Sequence, residues 1–181
     1  MRVTGGIYRG RTILCPPGVI RPTMDRMRIS LFSILGDLAG ASFLDLFSGS
    51  GILGVEAASR GAAPVVLVEK DPRKRATIMK NISFVTSPIE LVVAPVERFL
   101  RTDRRKWDIV FLDPPFDAEG KGALLDETAA SGHVAQGGLV LIHVHRAEGL
   151  DADRALLLLD DTRTYGQSTL LFFRPREPSL A

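Results

Sequence analysis

The segment "DIVFLDPPFD", residues 108–117, ends an apolar run on a carboxylate, Asp113, and follows it with Pro114, Pro115 and Phe116. Proline lacks an amide hydrogen and has a fixed φ. A strand over Ile109–Leu112 therefore stops there, with the direction of the Pro114 carbonyl set in advance. A carboxylate beside a rigid carbonyl can accept both hydrogens of an exocyclic base amine. Such an amine is a poor nucleophile because its lone pair is delocalised into the ring. Two hydrogen bonds draw the nitrogen toward a tetrahedral shape and aim the pair for an in-line displacement such as methyl transfer. Phe116 offers a face for an extruded base to stack on, worth about 1–3 kcal/mol. The plainer alternative is a strand terminator with a core phenyl ring.

A second stretch, "LDLFSGSGILGVEA", spaces Gly49, Gly51 and Gly54 as G-x-G-x-x-G, with Ile52 opening a helix-like segment. Glycines there permit a tight turn and close approach of a ligand to the backbone, but the spacing alone does not separate cofactor classes. Asp45, just before the turn, would repel a pyrophosphate and attract a cation. The next apolar run, "VLVEKD", ends with Glu69 placed to receive two ribose hydroxyls. S-adenosylmethionine, which carries a sulfonium and an ammonium and no phosphate, fits this pair of acids better than NAD.

These residues need elements to hold them. Apolar runs recur at "SFLDLF", "VVLVE", "IELVVA", "DIVFLD", "GLVLIHV", "ALLLLD" and "TLLFF", and helix-like segments fall at 52–60, 72–84, 95–101 and 121–131. Continuous apolar runs suit strands covered on both faces, and their alternation with helices predicts a doubly wound, mostly parallel α/β sheet. Only a short polar join separates the last two runs, so the sheet is expected to close on an antiparallel hairpin. Ahead of this, residues 2–8 and 11–14 read as a small β-hairpin or extended arm around Arg9-Gly10. A helix from Asp25 should bury Met27, Leu31, Ile34, Leu35 and Leu38. The chain thus divides into a basic arm, 1–24, and one globular domain, 25–181.

Composition agrees with a single soluble domain: 181 residues, 45% hydrophobic and 24% charged. No apolar run approaches the ~20 residues of a membrane helix, and the N-terminus lacks the apolar core of a secretory signal. A lone cysteine, Cys15, excludes an internal disulfide and suits a reducing cytoplasm. The formal charge of +2 is uneven. Residues 1–28 hold six arginines (Arg2, Arg9, Arg11, Arg21, Arg26, Arg28) against Asp25, whereas the remainder has 17 basic and 20 acidic residues. A basic front on a mildly acidic body points to a polyanion such as nucleic acid.

With these motifs placed, the sequence resembles the class I, S-adenosylmethionine-dependent methyltransferases, and within them the RsmD-type family. The resemblance spans nearly the whole chain. It rests on "GGIYRGRTI", "RPTMDRMRISLFSIL", "LDLFSGSGILGVEAASRGA", "VLVEKD", "DIVFLDPPF", "GGLVLI" and "TYGQSTLLFF". It implies a Rossmann-like, seven-stranded sheet and transfer of a methyl group to the N2 amine of a guanine in bacterial 16S ribosomal RNA. The implied partner is that RNA, within a small-subunit ribonucleoprotein, and the implied protein is a cytoplasmic monomer that needs no metal. Asp45, Phe47, Gly49 and Gly51 would shape the methionine side of the cofactor pocket, and Glu69 would hold the ribose with Lys70 and Asp71 nearby. Asp113, Pro114, Pro115 and Phe116 would serve the amine. Arg21, Pro22 and Thr23 would lie over the pocket, with Arg9, Arg11, Arg21 and Arg26 on RNA. The chain departs from the family at Ile29 and Ser33, where a glutamate and an asparagine are usual, at Glu97 near the adenine, and at His143, which replaces an acid.

His133, His143 and His145 are too scattered for a triad; the last two share one strand face and read as surface or RNA contacts. Two rival functions remain at this stage: a DNA adenine-N6 or cytosine-N4 methylase, and an RNA-binding ribosome-assembly factor without activity.

Overall fold

The computed structural model describes residues 1–16, 23–151 and 153–176, without the side chains of Thr23 and Met24. Twelve elements follow in chain order: α1 (Thr23–Leu35), β1 (Phe43–Leu46), α2 (Ile52–Ser59), β2 (Val65–Glu69), α3 (Arg75–Ile82), β3 (Ile89–Val93), α4 (Val96–Thr102), β4 (Trp107–Leu112), α5 (Lys121–Ala130), β5 (Val134–His145), β6 (Leu157–Tyr165) and β7 (Ser168–Pro175). The sheet order is β3-β2-β1-β4-β5-β7-β6. β1 to β5 run parallel, and β7 pairs antiparallel with both β5 and β6. The expected doubly wound sheet and its terminal hairpin are both present. The join of that hairpin is shorter than the sequence suggested: Asp161–Tyr165 continue β6, and only Gly166-Gln167 turn the chain.

Alternation sorts the strand residues between two cores. Phe43, Val65, Leu67, Ile109, Phe111 and Leu141 face α1, α2 and α3, where Met27, Leu31, Phe32, Leu53, Val55 and Ile78 meet them. Leu44, Leu46, Val66, Val68, Val110 and Leu112 face α4 and α5, against Phe99, Leu100 and Leu125. Continuing the first face to the carboxyl ends of the strands places Asp45, Glu69, Asp113 and His143 on one side of the sheet. Four polar side chains thus end the apolar columns that position them.

Two local expectations change. The buried stripe of α1 is Met27, Leu31 and Phe32, together with Arg28 at 2% exposure; Ile34 is exposed, and Leu38 is buried beyond the helix end. The stripe turns because Arg28 reaches inward to Glu56, with Nε at 3.1 Å from Oε1. The arm forms one antiparallel bridge, Arg2–Thr12, instead of two extended strands. Between the bridge partners it leaves the ladder for α2: Thr4 N donates to Glu56 Oε1 (2.7 Å), Ile7 N to Ser59 O (2.8 Å) and Tyr8 N to Ser59 Oγ (2.9 Å). Gly6 makes this approach possible, since its φ is +73° and a Cβ there would stand 1.8 Å from the Ser59 carbonyl oxygen. Val3 and Ile13 insert into the α1–α3 core, so the arm is docked on the domain. Among the described residues no helix is long and apolar enough to cross a membrane.

Candidate active site at the switch point of the sheet

Open α/β sheets bind ligands beyond the carboxyl ends of the strands, where the strand order reverses. Here that point lies between β1 and β4. The register pairs Leu46 with Leu112, and the next amide, Asp113 N, donates to Leu46 O at 3.1 Å. One backbone hydrogen bond thereby fixes the Asp-Pro-Pro-Phe turn beside the glycine loop.

The loop takes left-handed conformations at Phe47 (φ 69°), Gly49 (58°) and Gly51 (78°). For Phe47 this is an uncommon backbone state, of the kind that concentrates at ligand sites. At Gly51 any side chain would also press on Leu67 and Ile78, at 3.1 and 3.3 Å. Glu69 ties the loop to β2. Its Oε2 accepts from Gly49 N (3.0 Å) and Lys74 Nζ (3.0 Å), and Oε1 from Asp71 N (2.9 Å). Asp71 caps the 3-10 turn Pro72–Lys74 by accepting from Arg73 N, and its hydrogen bonds from Arg73 lower its pKa to about 2. Lys70 is exposed.

Asp45 has no exposed surface, and neither carboxylate oxygen has a hydrogen-bond partner. Burial, then the neighbouring Asp113 and Glu69 carboxylates, push its pKa well above the usual carboxylate range. The Gly54 amide at the start of α2 offsets this only in part, without reaching hydrogen-bond geometry. An orphaned buried acid is costly unless something cationic comes near.

Around the turn, Pro114 is buried, Pro115 exposed and Phe116 half-buried. Lys121, 3% exposed at the start of α5, donates from Nζ to Phe116 O (2.9 Å) and to both oxygens of Glu148 (3.0 and 2.8 Å). All three ammonium hydrogens are used, and the turn is clamped from below.

His143 is the main correction to the sequence reading. It is 2% exposed, and its Nδ1 lies 2.8 Å from Asp113 Oδ1, so it is neither a surface residue nor an open RNA contact. The rings of His143 and His145 stand edge-on to Phe116, with centroids 4.9 and 5.4 Å away. A signal was present. "DIVFLD" and "GLVLIH" have equal lengths, and the observed register, Ile109 to Leu139 through Leu112 to Ile142, runs on to place Asp113 opposite His143. His133 sits elsewhere, with its ring nitrogens on the carbonyls of Arg105 (2.8 Å) and Leu100 (3.0 Å).

The arginine set divides. Arg9, Arg11 and Arg26 are exposed, with Arg11 over the Phe84 ring at 5.2 Å. Arg28 is buried against Glu56, beside the half-buried Arg60 and the exposed Asp25, and is not part of an RNA-facing front. Arg21, Pro22 and the Thr23 side chain lie outside the described residues. Asn81, unassigned from sequence, is 2% exposed. Its Nδ2 donates to Leu14 O (2.8 Å) and Ser50 O (2.9 Å), and its Oδ1 accepts from Leu14 N (2.8 Å), which joins the arm to the glycine loop.

A seven-stranded sheet with an antiparallel seventh strand, carrying a glycine loop after β1 and an Asp-Pro-Pro-Phe turn after β4, is a class I methyltransferase fold. More narrowly, the chain belongs to the family described as conserved hypothetical protein 95, matched over residues 1–174, which is the RsmD-type family its motifs resemble. It is 35% identical over 175 residues to ribosomal RNA small subunit methyltransferase D of Escherichia coli (strain K12), covering 92% of this chain and 86% of that protein. The solved structure titled "Putative methyltransferase yhhF from Escherichia coli" superposes with a TM-score of 0.83 at 32% identity, over 98% of this chain and 99% of the other. The solved structure described as "SMU.776, a putative methyltransferase complexed with SAH" shares the fold with a TM-score of 0.69 at 18% identity, over 92% of this chain and 52% of its own.

Proposed function

We propose that the protein transfers a methyl group from S-adenosylmethionine to the exocyclic N2 amine of a guanine in 16S ribosomal RNA. The observation that carries this reading is the Asp113 N to Leu46 O bond, which seats an amine-accepting turn against a cofactor-type glycine loop. The cofactor fits the residues present. An unpartnered buried carboxylate, Asp45, suits a cationic ligand and disfavours a pyrophosphate, and Gly49 and Gly51 leave the loop backbone open to close approach. Glu69 Oε1 retains a lone pair for a ribose hydroxyl beyond the carboxylate's bonds to Gly49 N, Asp71 N and Lys74, with Lys70 and Asp71 at the pocket edge. When bound, the cofactor supplies a methyl group activated on a sulfonium.

The chain's own residues do the rest. Asp113 and the Pro114 carbonyl accept the two amine hydrogens and orient the lone pair, and Pro115 stiffens the turn. Phe116 stacks the base within a half-buried setting that limits water. An amine nitrogen that gains a methyl group must shed one proton, and Asp113 would accept it. Arg9, Arg11 and Arg26, with Arg21, would bind phosphates, which positions RNA without reading its sequence.

The test is methyl incorporation into 16S rRNA, presented naked and as 30S particles, from a strain lacking the endogenous enzyme, with the product mapped by mass spectrometry. Label at guanine N2 that is lost in Asp113→Ala supports the reading. Label on adenine N6 or cytosine N4 of DNA, or none with either RNA substrate, overturns it. Equal transfer by Asp113→Ala would refute the amine-positioning argument.

A further inference from the structure

We infer that His143 is a positioning residue for this reaction: it locks the Asp113 carboxylate in one rotamer by donating from Nδ1 to Oδ1, leaving Oδ2 turned to the target amine. The inference rests on the function proposed above and adds to it a residue outside the Asp-Pro-Pro-Phe turn. The Nδ1 to Oδ1 distance is 2.8 Å. A carboxylate can only accept, so Nδ1 must carry the hydrogen. The other ring nitrogen, Nε2, is buried with no partner. A hydrogen on Nε2 would be a buried donor without a partner, so the Nδ1–H tautomer satisfies the site best.

Three contacts hold the imidazole in place. Its backbone belongs to β5, in register with Leu170 of β7, and the ring is nine-tenths or more buried. Its edge packs on Phe116 at 4.9 Å. Asp113 and Phe116 therefore share one support, and an acceptor and a stacking ring that must meet the same base are fixed relative to each other. An ionised acid in place of His143 would instead repel Asp113. Misplacing a reacting group by about 1 Å can cost on the order of 100-fold in rate, which sets the scale of the expected effect.

The experiment compares His143→Asn, whose side-chain amide can occupy the Nδ1 place, with His143→Leu, which fills the space without a donor. Methyl transfer to the RNA substrate is followed in steady state, and cofactor affinity by calorimetry. His143→Leu should lower kcat about 10- to 100-fold while KM for RNA and cofactor affinity stay within about twofold; His143→Asn should recover to within about threefold of wild type. Equal kcat in both variants, or a loss seen in KM alone, overturns the inference. A readout independent of RNA methylation is the 15N NMR signature of the His143 ring in the wild-type protein. The Nδ1–H tautomer is expected, and an Nε2–H tautomer refutes the donor assignment even if the RNA activity is confirmed. Conversely, an Nδ1–H ring in a protein inactive on both RNA forms sinks the function while leaving the geometry standing.

Discussion

Glu56→Gln is the most searching test of how the arm is held. Glu56 is fully buried in α2 and its carboxylate takes Arg28 Nε at 3.1 Å, the Arg60 guanidinium, and Thr4 N at 2.7 Å. Arg28 also donates to Arg2 O at 3.0 Å, and Arg60 to Thr4 Oγ1 at 3.1 Å, so both cations and their acid grip the arm. Glutamine keeps the shape and removes the charge, leaving two guanidiniums against a neutral amide. Breaking a buried pair costs about 3–5 kcal/mol, because the remaining charge stays desolvated. Arg28 retains a second carboxylate, Asp25, at 2.9 Å, and the Arg60 side chain is itself 15% exposed, so neither cation is left wholly uncompensated, which places the expectation near the lower value, about 3 kcal/mol. For a chain of this size each kcal/mol moves Tm by about 2–4 °C, so scanning calorimetry should show a fall of about 6–12 °C. Trypsin should also cut faster after Arg9 and Arg11 as the arm loosens. The triple change Glu56→Leu, Arg28→Met, Arg60→Met should recover most of the loss, since buried ionic groups exchanged together for apolar ones leave no orphan charge. A Tm drop below about 2 °C in Glu56→Gln, with unaltered proteolysis, would show that the cluster is solvated and the argument wrong.

Three further outcomes are expected. Burial raises the folded-state pKa of Asp45 well above the ordinary carboxylate value of about 4, so its ionisation opposes folding: the penalty is absent below about pH 4 and grows as pH rises toward the folded pKa. Asp45→Asn should therefore gain stability relative to wild type in urea titrations as pH rises above about 4, while losing cofactor affinity; a pH-independent difference would contradict this. Gly54→Ala puts a Cβ 2.1 Å from Leu67 Cδ2 and 3.1 Å from Val65 Cγ1, both fully buried. Overpacking of about 1–3 kcal/mol should outweigh a helix-propensity gain of about 1, for a net loss near 1 kcal/mol; a midpoint at or above wild type refutes the close packing of α2 on β2. The Asp108 carboxyl is held below its usual range by Ser42 N and Ser42 Oγ, which tie the starts of β1 and β4. That stabilisation is present above about pH 4 and is lost as pH falls through the depressed folded pKa, so the deficit of Ser42→Ala should shrink below pH 4, and a constant deficit would remove Asp108 as its source.

Much of this molecule was legible because its inner strands β1, β2 and β4 are buried on both faces, although of the edge strands β3 is only half-buried and β6 largely exposed despite their apolar runs. Continuous runs such as "VVLVE" and "DIVFLD" have one physical use in a chain that alternates them with helices, and all seven lie in the sheet. Asp113 and Glu69 were readable for the same reason, since a polar residue ending such a run must lie at a strand's carboxyl end. What failed was tertiary in origin. Nothing local marks Arg28 as buried; its partner Glu56 is 28 residues away, and only the packing of α1 on α2 brings them together. Lys121 looks like an ordinary surface lysine until Glu148 closes over it. The arm's strands were overcalled because Gly6 and Ser59 offer a better set of partners than the arm offers itself. Side-chain pairing across long separations is invisible to periodicity, whatever its strength.

The same long-range pairs explain how flexible-looking motifs become a defined site. A glycine loop and a proline turn have few side chains with which to hold themselves, so rigidity must come from outside. Glu69 supplies it to the loop through Gly49 N, Asn81 through Ser50 O, Lys121 to the turn through Phe116 O, and His143 through Asp113. Each of these four polar groups is 5% exposed or less, so water competes weakly for its bonds. Asn81 spends its remaining bonds on Leu14, so the arm that carries Arg9 and Arg11 is braced on the amide that braces the loop. The basic arm and the proposed methyl-transfer site are therefore parts of one hydrogen-bonded frame, and under the proposed function RNA held by the arm would meet a turn and a loop whose positions the frame has already set.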